Sequence, residues 1–197
     1  MTGAARHLVI FARTPRVGQG KRRLARDVGE FAAFRFQYVM RARLLRDLGR
    51  DSRWKTWLAF TPNHLHPGAQ GLPTLAQGTG GLGRRMASVM RRLPPGPAVI
   101  IGSDIPGIRS VDVAAAFRAL GSHDAVLGPA RDGGYWLIGL RRGLRFVDPF
   151  RNVRWSSAHA LADTRANLRD QRVALLRTLA DIDDGVDWHR YQRGVFT

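Results

Sequence analysis

Four short stretches carry residue types suited to chemistry on a phosphorylated substrate. In Gly18-x-Gly20-Lys21-x-x-Leu24, glycines let backbone N–H groups approach a phosphate, and Lys21 and Arg22 add positive charge. A Walker A loop is excluded, because it needs glycine at 15 and Ser/Thr at 22 where this chain has Pro15 and Arg22. Arg23 likewise breaks a G-x-G-x-x-G pattern. The second stretch, Gly102-Ser103-Asp104-Ile105-Pro106, sets a carboxylate just after an apolar run. Hard oxygen donors suit Mg²⁺ or Mn²⁺ bridging substrate phosphates, although Asp104 in a purely structural role would only cap the turn before Pro106.

The third stretch joins Arg131-Asp132-Gly133-Gly134 to the aromatic pair Tyr135-Trp136. Asp132-Gly133 is a hairpin signal by itself; from that turn Asp132 could also serve an acceptor hydroxyl as base or orienting group. In the fourth, Asp181-Ile182-Asp183-Asp184, alternation sets Asp181 and Asp183 on one side, either being a second metal ligand, with Asp184 capping a helix. Trp155-Ser156-Ser157 reads as a capped helix start with a core tryptophan, or as a wall of an acceptor pocket. His64-x-His66 has metal-ligand spacing but lies in a loop and receives no role. The chain has no cysteine and no G-x-S-x-G elbow, which excludes thiol catalysis, disulfides and a serine-elbow hydrolase.

These stretches need elements to hold them. His7–Arg13 is an apolar, β-branched run, the pattern of a buried strand in a largely parallel sheet. Behind the glycine-rich turn, one long helix is expected, with Leu24, Val28, Phe31, Phe34, Tyr38, Ala42, Leu45 and Leu48 as its inward stripe and Gly49 as its C-cap. Further strands are expected at 54–60, 73–77, 98–101, 124–128, 135–140 and 173–176. Helices should cover the segment with Leu82, Met86, Val89, Met90 and Leu93, then 111–120 capped by Ser110, a stretch from Ser156 or Ser157 to about Leu168, and 184–191. Alternation with short connections predicts one α/β domain over 1–197: a three-layer α/β/α sandwich with a mixed, mainly parallel sheet.

Composition narrows the partners. The net charge is +17, and of 32 basic residues only Lys21 and Lys55 are lysines. The arginines are spread along the chain without interleaved aromatics, which favours attraction of small phosphorylated substrates over nucleic acid. No apolar run approaches the roughly 20 residues of a membrane span, and the N-terminus lacks a signal-peptide cleavage pattern; a cytoplasmic location is expected.

The stretches VIFARTPRVGQGKRRL, QGTGGLGRRM, VIIGSDIPGI, AVLGPARDGGYWLIGL, VRWSS and DIDDGVDW occur in this order. Together they resemble a bacterial family of GT-A-like glycosyltransferases, in part grouped as arsenosugar biosynthesis enzymes and related to 2-phospholactate and molybdenum-cofactor guanylyltransferases. The resemblance implies the nucleotide-diphospho-sugar transferase fold and a metal-dependent transferase, glycosyl transfer ahead of nucleotidyl transfer, with non-catalytic nucleotide binding as a third reading. It implies that Ala12, Arg13, Gly18, Lys21, Gln77, Gly78 and Leu82 face the nucleotide. Asp104 and Asp183 would hold Mg²⁺ or Mn²⁺, with Asp104 and Asp132 catalytic, and Gly133, Gly134, Tyr135 and Trp155 would face a small acceptor. Two positions depart from the family pattern: Arg22 replaces a threonine and Gly81 an aspartate, which leaves the base open.

Overall fold

The computed structural model describes residues 4–14, 16–18, 20–63, 71–143 and 147–194; His64 and His66 lie outside them. Strand β1 (His7–Arg13) is buried on both faces from His7 to Ile10, as its unbroken apolar run requires. It pairs in parallel with β2 (Lys55–Thr61) on one side and β4 (Ala98–Gly102) on the other. Beyond β2 lies β3 (Thr74–Ala76), and beyond β4 come β6 (Tyr135–Leu140), β5 (Ala125–Pro129) and β7 (Val173–Leu175). The order is β3-β2-β1-β4-β6-β5-β7, and β6 is antiparallel to both its neighbours while the other pairings are parallel. This is the mixed, mainly parallel sheet expected from sequence.

Side-chain alternation along β1 builds two cores. Leu8 and Ile10 join Leu44, Leu48, Val113 and Phe117, from α2 (Glu30–Leu48) and α4 (Ser110–Ala119). Val9 joins Met86, Met90 and Leu168 on the opposite face, under α3 (Leu82–Arg92) and α5 (Ala160–Asn167). A third cluster, Leu24, Phe36, Met40 and Ile182 with Trp188 packed on it, ties α1 (Arg22–Val28) and α6 (Gly185–Gln192) to α2.

The single long helix expected from Leu24 to Leu48 is two. Gly29, at φ 88° and ψ 152°, ends α1 and opens α2. Only glycine enters that backbone region without steric cost. The break resets the helical phase, so the stripe extrapolated from Leu24 fails in the first turns beyond it, where Phe31 is 70% and Tyr38 52% exposed, while Leu45 and Leu48 are buried as expected. The buried apolar stripe is Ala33, Phe36, Met40, Leu44, Leu45 and Leu48. Two caps also differ. The α4 cap position is Arg109, whose N–H donates to the Asp112 carboxylate at 2.8 Å, and Ser110 is the first helical residue. Ser157 precedes α5 by three residues; its hydroxyl donates to the Arg154 carbonyl at 2.6 Å and accepts from the His159 N–H at 3.3 Å, closing a turn. No helix among the described residues is long and apolar enough to cross a membrane.

Candidate functional site

The connection after β1 leads toward β2, whereas the connection after β4 leads through α4 to β5 on the other side of the sheet. At such a switch point, the carboxyl ends of neighbouring parallel strands leave a crevice that takes ligands. Lys21, at the start of α1, and Asp104, just past β4, meet there. The Lys21 ammonium lies 2.9 Å from Asp104 Oδ2 and 3.0 Å from Asp183 Oδ1, and it donates to the Ile182 carbonyl. Its side chain is 9% exposed. Burial alone would push this amine's pKa down; the two carboxylates outweigh it and hold the ammonium above its ordinary range. Sequence reading set Lys21 on the phosphates and the aspartates on a metal; the structure joins all three in one cluster.

Two cavities open on either side of this cluster. An aromatic cleft of about 360 Å³ is lined by Asp132, Asp181, Tyr135, Trp136 and Trp155. A cationic basin of about 920 Å³ is lined by Arg13, Arg22, Arg23, Arg41, Ser103 and Asp183. Phe11, Leu82, Gly102 and Asp104 belong to both walls.

In the cleft, Asp132 Oδ1 accepts from the Gly134 N–H at 2.8 Å and tightens the turn. Tyr135 meets Trp155 edge-on at 6.1 Å, and its hydroxyl accepts from Thr164 at 3.4 Å. Burial pushes that phenol above its ordinary range, so it stays protonated. The Asp181 carboxyl is pushed up to about 6 by burial, then by the charge of Asp183. Ile182 between them is fully buried, and the two aspartates line different cavities rather than the one side that alternation predicts. Asp181 was weighed in sequence only as a metal ligand, and its place in the cleft is new. Gly133 does not line the cleft: a Cβ there would lie 2.3 Å from the Ala158 carbonyl oxygen, so this glycine packs the turn against the approach to α5.

On the basin side, Arg13, Gly18, Lys21 and Leu82 come together as expected. Ala12, Gln77 and Gly78 do not join them. Gln77 is buried, donates to the carbonyls of Ala12 (2.9 Å) and Ala59 (3.0 Å), and accepts from Arg85 at 2.6 Å. Both of its amide hydrogens are committed to holding strand ends, and it does not line the basin. Gly78 is clamped by Asn63, which accepts from its N–H at 3.0 Å and donates to its carbonyl at 3.3 Å. Arg41 in the basin wall was not foreseen, since in sequence it is one more arginine in an arginine-rich helix.

Asp104 and Asp183 converge on one cation position, held by the Lys21 ammonium. Two carboxylates plus substrate phosphates form a donor set that fits Mg²⁺ or Mn²⁺. Among the described residues, no group of three or more His, Cys, Asp or Glu is arranged to hold a metal without such phosphates.

Comparison with known proteins adds four relationships. The bacterial family DUF2064, described as uncharacterized and conserved in bacteria, matches residues 44–157. A 3-phospho-D-glycerate guanylyltransferase from Phenylobacterium zucineum (strain HLK1) is 38% identical over 66 residues, 33% of this chain. That alignment spans only 30% of the guanylyltransferase's length. Among solved structures, a protein from Desulfovibrio desulfuricans G20, provisionally named a nucleotide-diphospho-sugar transferase, superposes with a TM-score of 0.83 at 28% identity over 91% of this chain and 82% of that one. Rv0371c from Mycobacterium tuberculosis H37Rv, solved with manganese, superposes with a TM-score of 0.54 at 15% identity over 98% of each chain, a likeness of fold alone.

Proposed function

The chain belongs to the DUF2064 family and has the nucleotide-diphospho-sugar transferase fold; from that premise we propose that it is a transferase acting on a nucleotide-activated substrate. One observation carries the reading: a single carboxylate, Asp104, stands in the wall of both a cationic basin and an aromatic cleft. Phosphates match the arginines of the basin, an acceptor matches the cleft, and the bond exchanged lies between them. Asp104 and Asp183 would hold Mg²⁺ or Mn²⁺, which when bound supplies positive charge opposite a leaving phosphate. Lys21 keeps the two carboxylates from repelling each other and fixes their spacing. Asp132 orients the acceptor or takes its proton, and the protonated Tyr135 offers a hydrogen bond beside it. Both transfer chemistries fit this layout; the guanylyltransferase relative supports nucleotidyl transfer, and the provisional name of the Desulfovibrio protein supports a nucleotide-sugar.

The test is a thermal-shift and turnover panel of nucleoside triphosphates and nucleotide-sugars, each with and without Mg²⁺ or Mn²⁺. At least one should stabilise the protein and be consumed. In Asp104→Ala, turnover should fall about 10³-fold, the scale seen when a transition-state charge loses its partner, while the circular dichroism spectrum is kept. Neither stabilisation nor turnover with any compound sinks the reading.

A further inference from the structure

Arg41 lies on α2, is only 6% exposed, and has its Nη1 buried without a hydrogen-bond partner among the described residues. Its guanidinium carbon lies 5.7 Å from the centre of the Tyr38 ring. A charge buried without a counter-charge is strongly unfavourable, and burial accordingly holds this guanidinium below its ordinary range. The side chain nevertheless lines the basin. Arg13, Arg22 and Arg23 line it too, and none of the four arginines has an ion pair among the described residues. Lys21 pairs with the basin's two carboxylates, Asp104 and Asp183, and offsets one of their two charges, so the five cations of the wall still outnumber its carboxylates. The basin therefore holds an excess of unopposed positive charge, with its most deeply buried cation incomplete. Arg85, the other arginine with an orphan nitrogen, differs: its Nη1 donates to Gln77 and it lines neither cavity.

We propose that the basin takes the polyphosphate of a nucleoside triphosphate, with Arg41 as receptor for a phosphate beyond the two that a nucleotide-sugar carries. The inference rests on the transferase reading above and names its substrate class. A triphosphate with its free end carries roughly twice the negative charge of a sugar-linked diphosphate, and a planar guanidinium fork binds phosphate oxygens two at a time. The chemistry is then nucleotidyl transfer. An acceptor oxygen bonds to the α-phosphorus while the α–β bridging P–O bond breaks. The electron pair leaves on pyrophosphate, and any proton on the acceptor oxygen passes to a carboxylate of the cleft.

The experiment is calorimetric titration of the protein with the four nucleoside triphosphates, their diphosphates, UDP- and GDP-sugars and sodium tripolyphosphate, repeated on Arg41→Met and Arg41→Lys. Wild type should bind at least one triphosphate tenfold or more tighter than its diphosphate. In Arg41→Met that ratio should fall to near one with diphosphate affinity kept; Arg41→Lys, which retains charge but not the fork, should lie between. Unliganded Arg41→Met should melt no lower than wild type, because an unpaired buried charge has been removed; should it unfold, Arg41→Lys is read in its place. Equal binding of triphosphate and diphosphate by wild type, an unchanged ratio in the variants, or a preference for a nucleotide-sugar overturns this proposal and leaves the transferase reading standing. Absence of all nucleotide binding sinks that reading instead. The tripolyphosphate arm then decides on Arg41: binding lost in Arg41→Met supports a polyphosphate receptor, and binding that is absent in wild type or unaffected in the variant overturns it.

Discussion

In the aromatic cleft the polar groups already have protein partners. Asp132 accepts from Gly134, Tyr135 accepts from Thr164, and the Trp136 indole donates to the Arg177 carbonyl at 3.1 Å. In the basin next to it, Arg13, Arg22, Arg23 and Arg41 meet no counter-charge among the described residues. Both cavities use Asp104, yet one is held in shape by its own hydrogen bonds and the other is electrostatically incomplete. A cleft held largely from within is fixed in shape, and the Tyr135 hydroxyl, which accepts from Thr164, keeps its O–H for an acceptor. A basin with unopposed cations discriminates by charge: the exposed Arg13, Arg22 and Arg23 attract an anion, and only an anion relieves the burial of Arg41. On this arrangement, disturbing the cleft should harm stability and leave anion binding intact.

The largest such disturbance is expected from Gly133→Ala. Position 133 combines a φ of +84° with the 2.3 Å approach to the Ala158 carbonyl oxygen. Strain and overpacking together should cost roughly 2–4 kcal/mol, seen as a clearly lower melting temperature by circular dichroism. Tripolyphosphate affinity should not move. Loss of anion binding at temperatures where the variant is still folded would mean that the cavities are mechanically one.

A smaller effect is expected behind the cleft. Arg177, whose carbonyl holds Trp136, pairs with the buried Asp112 carboxylate through two bonds of 2.7 Å. Burial works against that carboxylate, but Arg177 and the Arg109 N–H prevail and hold its pKa below the ordinary value. A lowered folded pKa means that the stabilisation is fully present above the ordinary carboxylate range and is lost as pH falls through the folded value. Asp112→Asn should therefore destabilise by about 2 kcal/mol at pH 7. The deficit should shrink below about pH 4, as measured by urea denaturation at each pH. A deficit of equal size at pH 3 and pH 7 would assign the effect to packing and not to the ion pair. The smallest effect belongs to Tyr135→Phe, which removes one long hydrogen bond at 3.4 Å. Stability should change by less than ~1 kcal/mol, whereas turnover should fall more than nucleotide affinity if the hydroxyl faces the acceptor.

The two cavities also differ in how far the sequence revealed them. Strands β1 and β6 have the bounds that their apolar runs predict, and Asp104 and Asp132 follow from carboxylates set at strand ends. The first turns of α2 depart from the expected stripe, at Phe31 and Tyr38, because a periodic pattern carries phase across a glycine only if the helix does not break there. The family resemblance implies ligand-facing roles for Gln77 and Gly133, whereas in the structure one is a buried clamp and the other packs a turn. Arg41 gave no signal, since nothing local separates a buried arginine from its exposed neighbours on the same helix.

By itself, then, the sequence determined the alternation of strands and helices and the mixed, mainly parallel sheet, and it set the candidate residues at the carboxyl ends of its strands. Those features rest on runs and turns a few residues long. Only the tertiary structure decided that Lys21 lies between Asp104 and Asp183, that Asp181 and Asp183 part into different cavities, and that Arg41 is buried beside unpaired arginines. Pairings between residues 21 and 183 depend on where separate crossovers close on the sheet, and burial is a property of what packs around a side chain rather than of the residues beside it in the chain.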